Sequence, residues 1–225
     1  MRAVGYDERL AGLPDAAALD GWLPDLPLRM QDRTGALWLL NTPALALLGS
    51  PPYPPCVELG DGLPTGRIWR GDAWLRTRLP HDPPQLAALG RQLARYGITR
   101  VTDAGADNGP AEAALLAEAL PQRLMLMGNE ELPESTAYVR GPLKLLLDDH
   151  ALPDIADLAA RIAGARTAGR AVAAHCVTVA ELVTFLAALD DAGGACPGDR
   201  IEHGSVIPTG LIPRIAAAGL VVVTQ

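Results

Sequence analysis

Two stretches constrain this chain most: Gly141 to Cys176 and Gly198 to Gln225. Each alternates short apolar runs with helix-period segments, and three residues able to hold a metal, Lys144, His175 and His203, lie in or at the end of those runs. They follow one another at about 30 residues, the length of one strand-helix-strand unit. That rhythm predicts all three at successive strand ends on one face.

Local signals agree with the rhythm. After the run Leu143 to Leu147, Pro153 suits a first helical turn, and Asp154 and Asp157 complement its positive end. Ile155, Leu158 and Ile162 keep helical spacing up to the stop at Gly169. A strand over Arg170 to His175 leads into Thr178-Val-Ala-Glu181, a capping-box pattern, with Leu182, Phe185, Leu186 and Leu189 on one helical face. Arg200 to His203 starts a third strand, a short helix spans Leu211 to Ala218, and Leu220 to Thr224 is a β-branched run.

Upstream, strands are predicted at Leu26 to Gln31, Ile98 to Asp103 and Leu124 to Met127, with helices at Gln85 to Tyr96 and Glu112 to Leu120. Ala36 to Leu48 reads as helical, limited by Pro43. The proline-rich stretch Ser50 to Gly66 reads as a long connecting loop. Seven strand segments, the later ones alternating with helices, predict an α/β fold with a parallel sheet, barrel or open. No GxGxxG or GxxxxGK[ST] loop follows any strand, which lowers the nucleotide-binding version.

Composition narrows the function class. A net charge of −7 argues against nucleic-acid and anionic-membrane partners. Three cysteines, Cys56, Cys176 and Cys196, form no even disulfide framework and no CxxC pair, as expected in a reducing compartment. With no 18-residue apolar run and no signal-peptide pattern, a cytoplasmic location is the expectation.

A family resemblance runs along the whole chain. Gly5-Tyr6-Asp7-Glu8, Trp38-Leu-Leu-Asn41-Thr-Pro-Ala-Leu45, Pro64-Thr-Gly66, Gly97-Ile-Thr-Arg-Val-Thr-Asp103-Ala, Lys144, Ala174-His175 and Arg200-Ile-Glu-His203 occur in an order that resembles amidohydrolase family 3, a branch of the metal-dependent amidohydrolase superfamily. The resemblance implies a (β/α)8 TIM-like barrel with a small β-sandwich. It also implies hydrolysis by a metal-activated water, a strand-end lysine that is often carboxylated, and two later histidines on the metal. Lys144, if carboxylated, His175 and His203 match those positions, and zinc leads the divalent metals implied. An uncarboxylated lysine is a cation and cannot ligate.

The chain also departs from that pattern. Its four histidines, His81, His150, His175 and His203, include no His-x-His pair, and the catalytic aspartate expected beyond the run at 220–225 has no counterpart. Sandwich strands expected at both ends have none in the sequence reading, and Gly35-Ala36 stands where family 3 commonly has Gly-His. The expectation is therefore a single, partial barrel domain over residues 1–225, with N- and C-terminal parts of the family fold missing and a Pro/Gly-rich insertion at about 50–80.

Other candidates carry bland readings beside sharp ones. Asp103 ends a strand, where barrel chemistry sits, but a cap or turn role competes. Asp148, Asp149 and His150 form a polar loop cluster, and His81 lies in a proline-flanked loop. Cys176 adjoins His175, yet neighbours on a strand point to opposite faces, which argues against a thiol dyad. Glu202 stands in the same relation to His203. Two functions follow: a metal-dependent hydrolase of amide or other non-peptide carbon–nitrogen bonds acting on a small molecule, or a truncated, inert fragment with a structural role. Uncovered barrel edges predict self-association as a homo-oligomer.

Overall fold

The computed structural model describes residues 1–79 and 85–224, so His81 lies outside the described residues. The chain divides into two compact units, Met1–Pro83 and Pro84–Gln225, where the sequence reading has a single domain.

The first unit is built on a five-stranded sheet in the order β1-β2-β3-β5-β4: β1 (Arg2–Tyr6), β2 (Arg29–Asp32), β3 (Leu37–Leu40), β4 (Val57–Gly60) and β5 (Leu63–Trp69). β1 pairs with β2 in parallel and the other pairs are antiparallel. Its helices are α1 (Glu8–Ala11), α2 (Ala16–Trp22), α3 (Thr42–Leu45), continued by a 3-10 turn at Ala46–Leu48, and α4 (Asp72–Arg78). The sheet corrects two expectations. Leu37–Leu40 is a central strand rather than the start of a helix, because both sheet faces are covered and a doubly buried strand reads as an unbroken apolar run. Trp38 and Leu40 join Leu48, Ile68 and Leu75 on one face, while Leu37 and Leu39 join Leu19, Leu28 and Met30 on the other.

The second correction is the stretch read as a loop over Ser50 to Gly66, which contains a β-hairpin. Asp61 and Gly62, at φ 51° and 79°, make the tight turn between β4 and β5 with both residues left-handed, as a two-residue hairpin of the type I′ kind requires. Gly66, at φ 96°, is demanded by packing too, since a Cβ there would sit 2.5 Å from the Leu40 carbonyl oxygen.

The second unit is a curled parallel sheet of six strands in sequence order: β6 (Arg100–Asp103), β7 (Arg123–Gly128), β8 (Val139–Leu145), β9 (Val172–Cys176), β10 (Arg200–His203) and β11 (Val221–Val223). The helices are α5 (Leu86–Arg95), α6 (Pro110–Ala119), α7 (Ile155–Thr167), α8 (Val179–Asp191) and α9 (Ile212–Ala217). Every neighbouring pair is parallel and consecutive, the arrangement of a half-barrel, and this agrees with the predicted α/β alternation.

The helix-facing core joins Leu143, Leu145, Val172, Ala174, Cys176 and Ile201 of the strands to residues of α7, α8 and α9, among them Ile162, Phe185 and Ile215. The predicted starts of α7 and α8 are present: Asp154 accepts a 2.8 Å hydrogen bond from the Ala156 amide, and Thr178 and Glu181 form the capping box. Between β7 and β8 the structure has no helix. The buried Arg170 guanidinium instead donates to the carbonyls of Gly128, Asn129, Gly141 and Pro142, satisfying backbone that a crossover helix would otherwise cover.

Candidate metal centre

Strand alternation sorts the side chains of β8, β9 and β10 into two sets. Leu143, Leu145, Val172, Ala174, Cys176 and Ile201 face the helices, which leaves Lys144, His175, Arg200 and Glu202 for the opposite face. Register brings them together: Lys144 and Arg200 both pair with Ala173, and Glu202 pairs with His175.

Lys144 and Glu202 are each 7% exposed, so both charges are held away from bulk water. Lys144 Nζ lies 3.8 Å from Glu202 Oε2, and Arg200 Nε donates to Glu202 Oε1 at 2.5 Å. Arg200 Nη2 also reaches Met127 Sδ at 3.5 Å. Burial draws the Lys144 ammonium below its ordinary range, Glu202 opposes that, and Arg200 reinforces it. In this arrangement Lys144 is paired with Glu202. Sequence reasoning passed over this pairing, although Lys144 interrupts the apolar run Leu143 to Leu147 and a buried charge needs a partner.

The two histidine rings lie with centroids 4.6 Å apart and planes at 74°. Alternation alone would send His203 to the helix side with Ile201. Its backbone is left-handed, at φ 69°, and this turns the strand end so that the imidazole meets that of His175. Such a conformation is costly for a residue with a Cβ and clusters at functional sites. Gly204 follows at φ 57°, its amide donating to the carbonyl oxygens of Cys176 and Glu202, and a Cβ there would stand 2.6 Å from Val222 Cγ1.

The remaining candidates are placed elsewhere or otherwise engaged. Asp103 ends β6, three strands away from β9, and accepts hydrogen bonds from the Gly105 amide at 2.8 Å and from Asn108 Nδ2 at 2.6 Å, closing the loop into α6. His150 donates its amide to Asp148 Oδ1 within the loop after β8. The Glu181 carboxylate accepts from the amides of Val177, Thr178 and Asp149, tying that loop to the one after β9. Cys176 is buried on the helix side, and burial pushes its thiol up to about 12, so it forms no nucleophilic pair with His175. Among the described residues no three His, Cys, Asp or Glu side chains converge on one point. The two imidazoles therefore fit part of a metal's ligand set, and the set is incomplete within those residues.

A curled sheet of consecutive parallel strands with helices between them places the chain in the α/β class, as part of a barrel. The chain belongs to the amidohydrolase family: the model of amidohydrolase family 3 matches residues 3–225. Its fold is similar to that of an uncharacterized metal-dependent hydrolase from Pyrococcus horikoshii OT3, with a TM-score of 0.71, 16% identity and coverage of 100% of this chain and 54% of that one. A second uncharacterized metal-dependent hydrolase, from Pyrococcus furiosus, gives a TM-score of 0.65 and 17% identity over 100% of this chain and 55% of that one. At those identities the likeness shows the fold alone, and the chain spans about half the length of these structures. Among proteins of curated function none matches. No described helix is long and apolar enough to cross a membrane.

Proposed function

We propose that this chain carries part of the metal site of a hydrolase for amide or other non-peptide carbon–nitrogen bonds in small molecules, on a (β/α)8-type barrel. The observation that carries the reading is the 4.6 Å pairing of His175 with His203, made by a strained backbone at a strand end. A divalent ion, zinc first among them, supplies Lewis acidity and lowers the pKa of water. His175 and His203 hold it through neutral imidazole nitrogens. Lys144 becomes a third ligand only when carboxylated. That change sets an anion against Glu202, so it requires Glu202 to rely on Arg200, which already donates to it.

The absence of a three-ligand cluster among the described residues supports a second reading, in which this chain alone is inert and has a structural role. Metal content by inductively coupled plasma mass spectrometry separates the two. About one divalent ion per chain in protein purified without chelator, lost in the His175→Ala, His203→Ala double variant, supports the metal site. A metal-free chain, even after zinc or manganese is supplied, refutes it and leaves the inert reading.

A further inference from the structure

The first unit holds a cleft that the hydrolase reading does not use. On the Trp38 face of the sheet, the core over β3 and β5 is covered by α3, α4 and the 3-10 turn between α3 and β4. Beside it, at the β1–β2 end, a cleft of about 470 Å³ lies between Arg2 and Arg29 and the apolar side chains of Pro27, Ala44, Leu47 and Leu79. That volume is within the range of small-molecule sites.

The polar side of the cleft is unusual. Arg2 and Arg29 are directly opposite each other in the parallel β1–β2 register, a placement that repels like charges. Each guanidinium carbon lies 5.6 Å from the centroid of the Trp38 ring. The indole is itself fixed, buried and donating from Nε1 to Asp72 Oδ1 at 2.9 Å, so that carboxylate is directed to the ring edge. Neither arginine has a carboxylate partner among the described residues, and the charge that acts on the partly buried Arg29 is the like charge of Arg2. Two uncompensated forks stacked on one ring, facing apolar walls, match a ligand with a flat anionic head and an apolar body.

We propose that this cleft binds a small organic carboxylate, its head held by Arg2 and Arg29 and its apolar body against Leu47 and Leu79. The carboxylate supplies the counter-charge that the register lacks. The planar guanidinium forks favour it over a compact hydrated anion, and the leucines favour a chain or ring over a bare ion.

Isothermal titration calorimetry on the full chain tests this with three probes: hexanoate, hexanol and inorganic phosphate. The expected result is saturable hexanoate binding, weakened about tenfold or more in Arg29→Gln and also weakened in Arg29→Lys, which keeps the charge but loses the fork. Hexanol and phosphate should bind far more weakly. Should Arg29→Gln fail to fold by circular dichroism, Arg2→Gln, at an exposed position, gives the same readout. Absence of saturable hexanoate binding overturns the proposal, as does hexanoate binding undiminished in the folded arginine variants. Phosphate binding as tight as hexanoate overturns the apolar half of it.

Discussion

His203 adopts a conformation that its neighbours must sustain. Its left-handed φ is followed by another at Gly204, where a Cβ would collide with Val222 Cγ1, so the strand end tolerates no side chain at that second position. Gly204→Ala is expected to cost ~2 kcal/mol in urea unfolding and to separate the two imidazoles, lowering metal uptake along with stability. Glu202→Gln acts differently. It leaves Lys144 buried beside Arg200 without its counter-charge, so a loss of ~3 kcal/mol is expected, and Lys144→Met in the same background should restore much of it.

Cys176 gives a test by pH and by reactivity. Its folded thiol, pushed up to about 12, keeps a proton that the unfolded chain sheds near 9, so this group's contribution to stability falls as the pH rises above about 9. In the native protein at pH 8, a thiol reagent should label the exposed Cys196 first and Cys176 only on unfolding. Prompt labelling of Cys176 would show that the helix-side core is not closed around it. At this scale the sequence made His175 and His203 visible as strand-end residues about a strand-helix unit apart. It put them on one face, as found, but did not show the left-handed backbone at His203 through which the two rings meet, and it hid the Lys144–Glu202 pair, because register between separate strands is not local information.

Among the elements, those of the second unit were the most legible. Thr178 and Glu181 announce α8 with a pattern in which both partners are short-range, and Asp154 does the same for α7. β3 was not legible, since Leu37-Trp-Leu-Leu has no alternation once both faces are buried, and its length is the only cue separating it from a helix. Asn41 is the residue that ends it. Fully buried, it accepts from the amides of Leu28 and Ala44 and donates to the carbonyls of Leu23 and Leu26, so one side chain caps α3 and fixes the segment before β2. Pro43 accordingly starts α3 rather than limiting a longer helix. Asn41→Ala should lower stability by about 3 kcal/mol, because it strands several buried backbone groups at once. Asn41→Asp should restore the accepting half only. Differential scanning calorimetry of the two variants measures this ordering, and equal stability of Asn41→Ala and wild type would refute it.

For the whole molecule, the consecutive parallel order of β6 to β11 follows from the sequence rhythm, since each strand-helix-strand unit returns beside the strand that precedes it, the helix-free link from β7 to β8 being the exception. The rhythm does not say whether such a sheet closes, because closure depends on the number of strands and their stagger. Here β11 is an edge strand among the described residues, and Val221, Val222 and Val223 are all exposed at 55%, 37% and 37%. A β-branched edge with open backbone groups is a template for another strand. The isolated chain should therefore show a concentration-dependent mass in sedimentation velocity, and Val221→Lys should shift it toward the monomer, because a lysine on an edge opposes strand addition. A monomer at every concentration in the unmodified chain would mean that this edge is protected, and the self-association expected of a half-barrel would have to be given up.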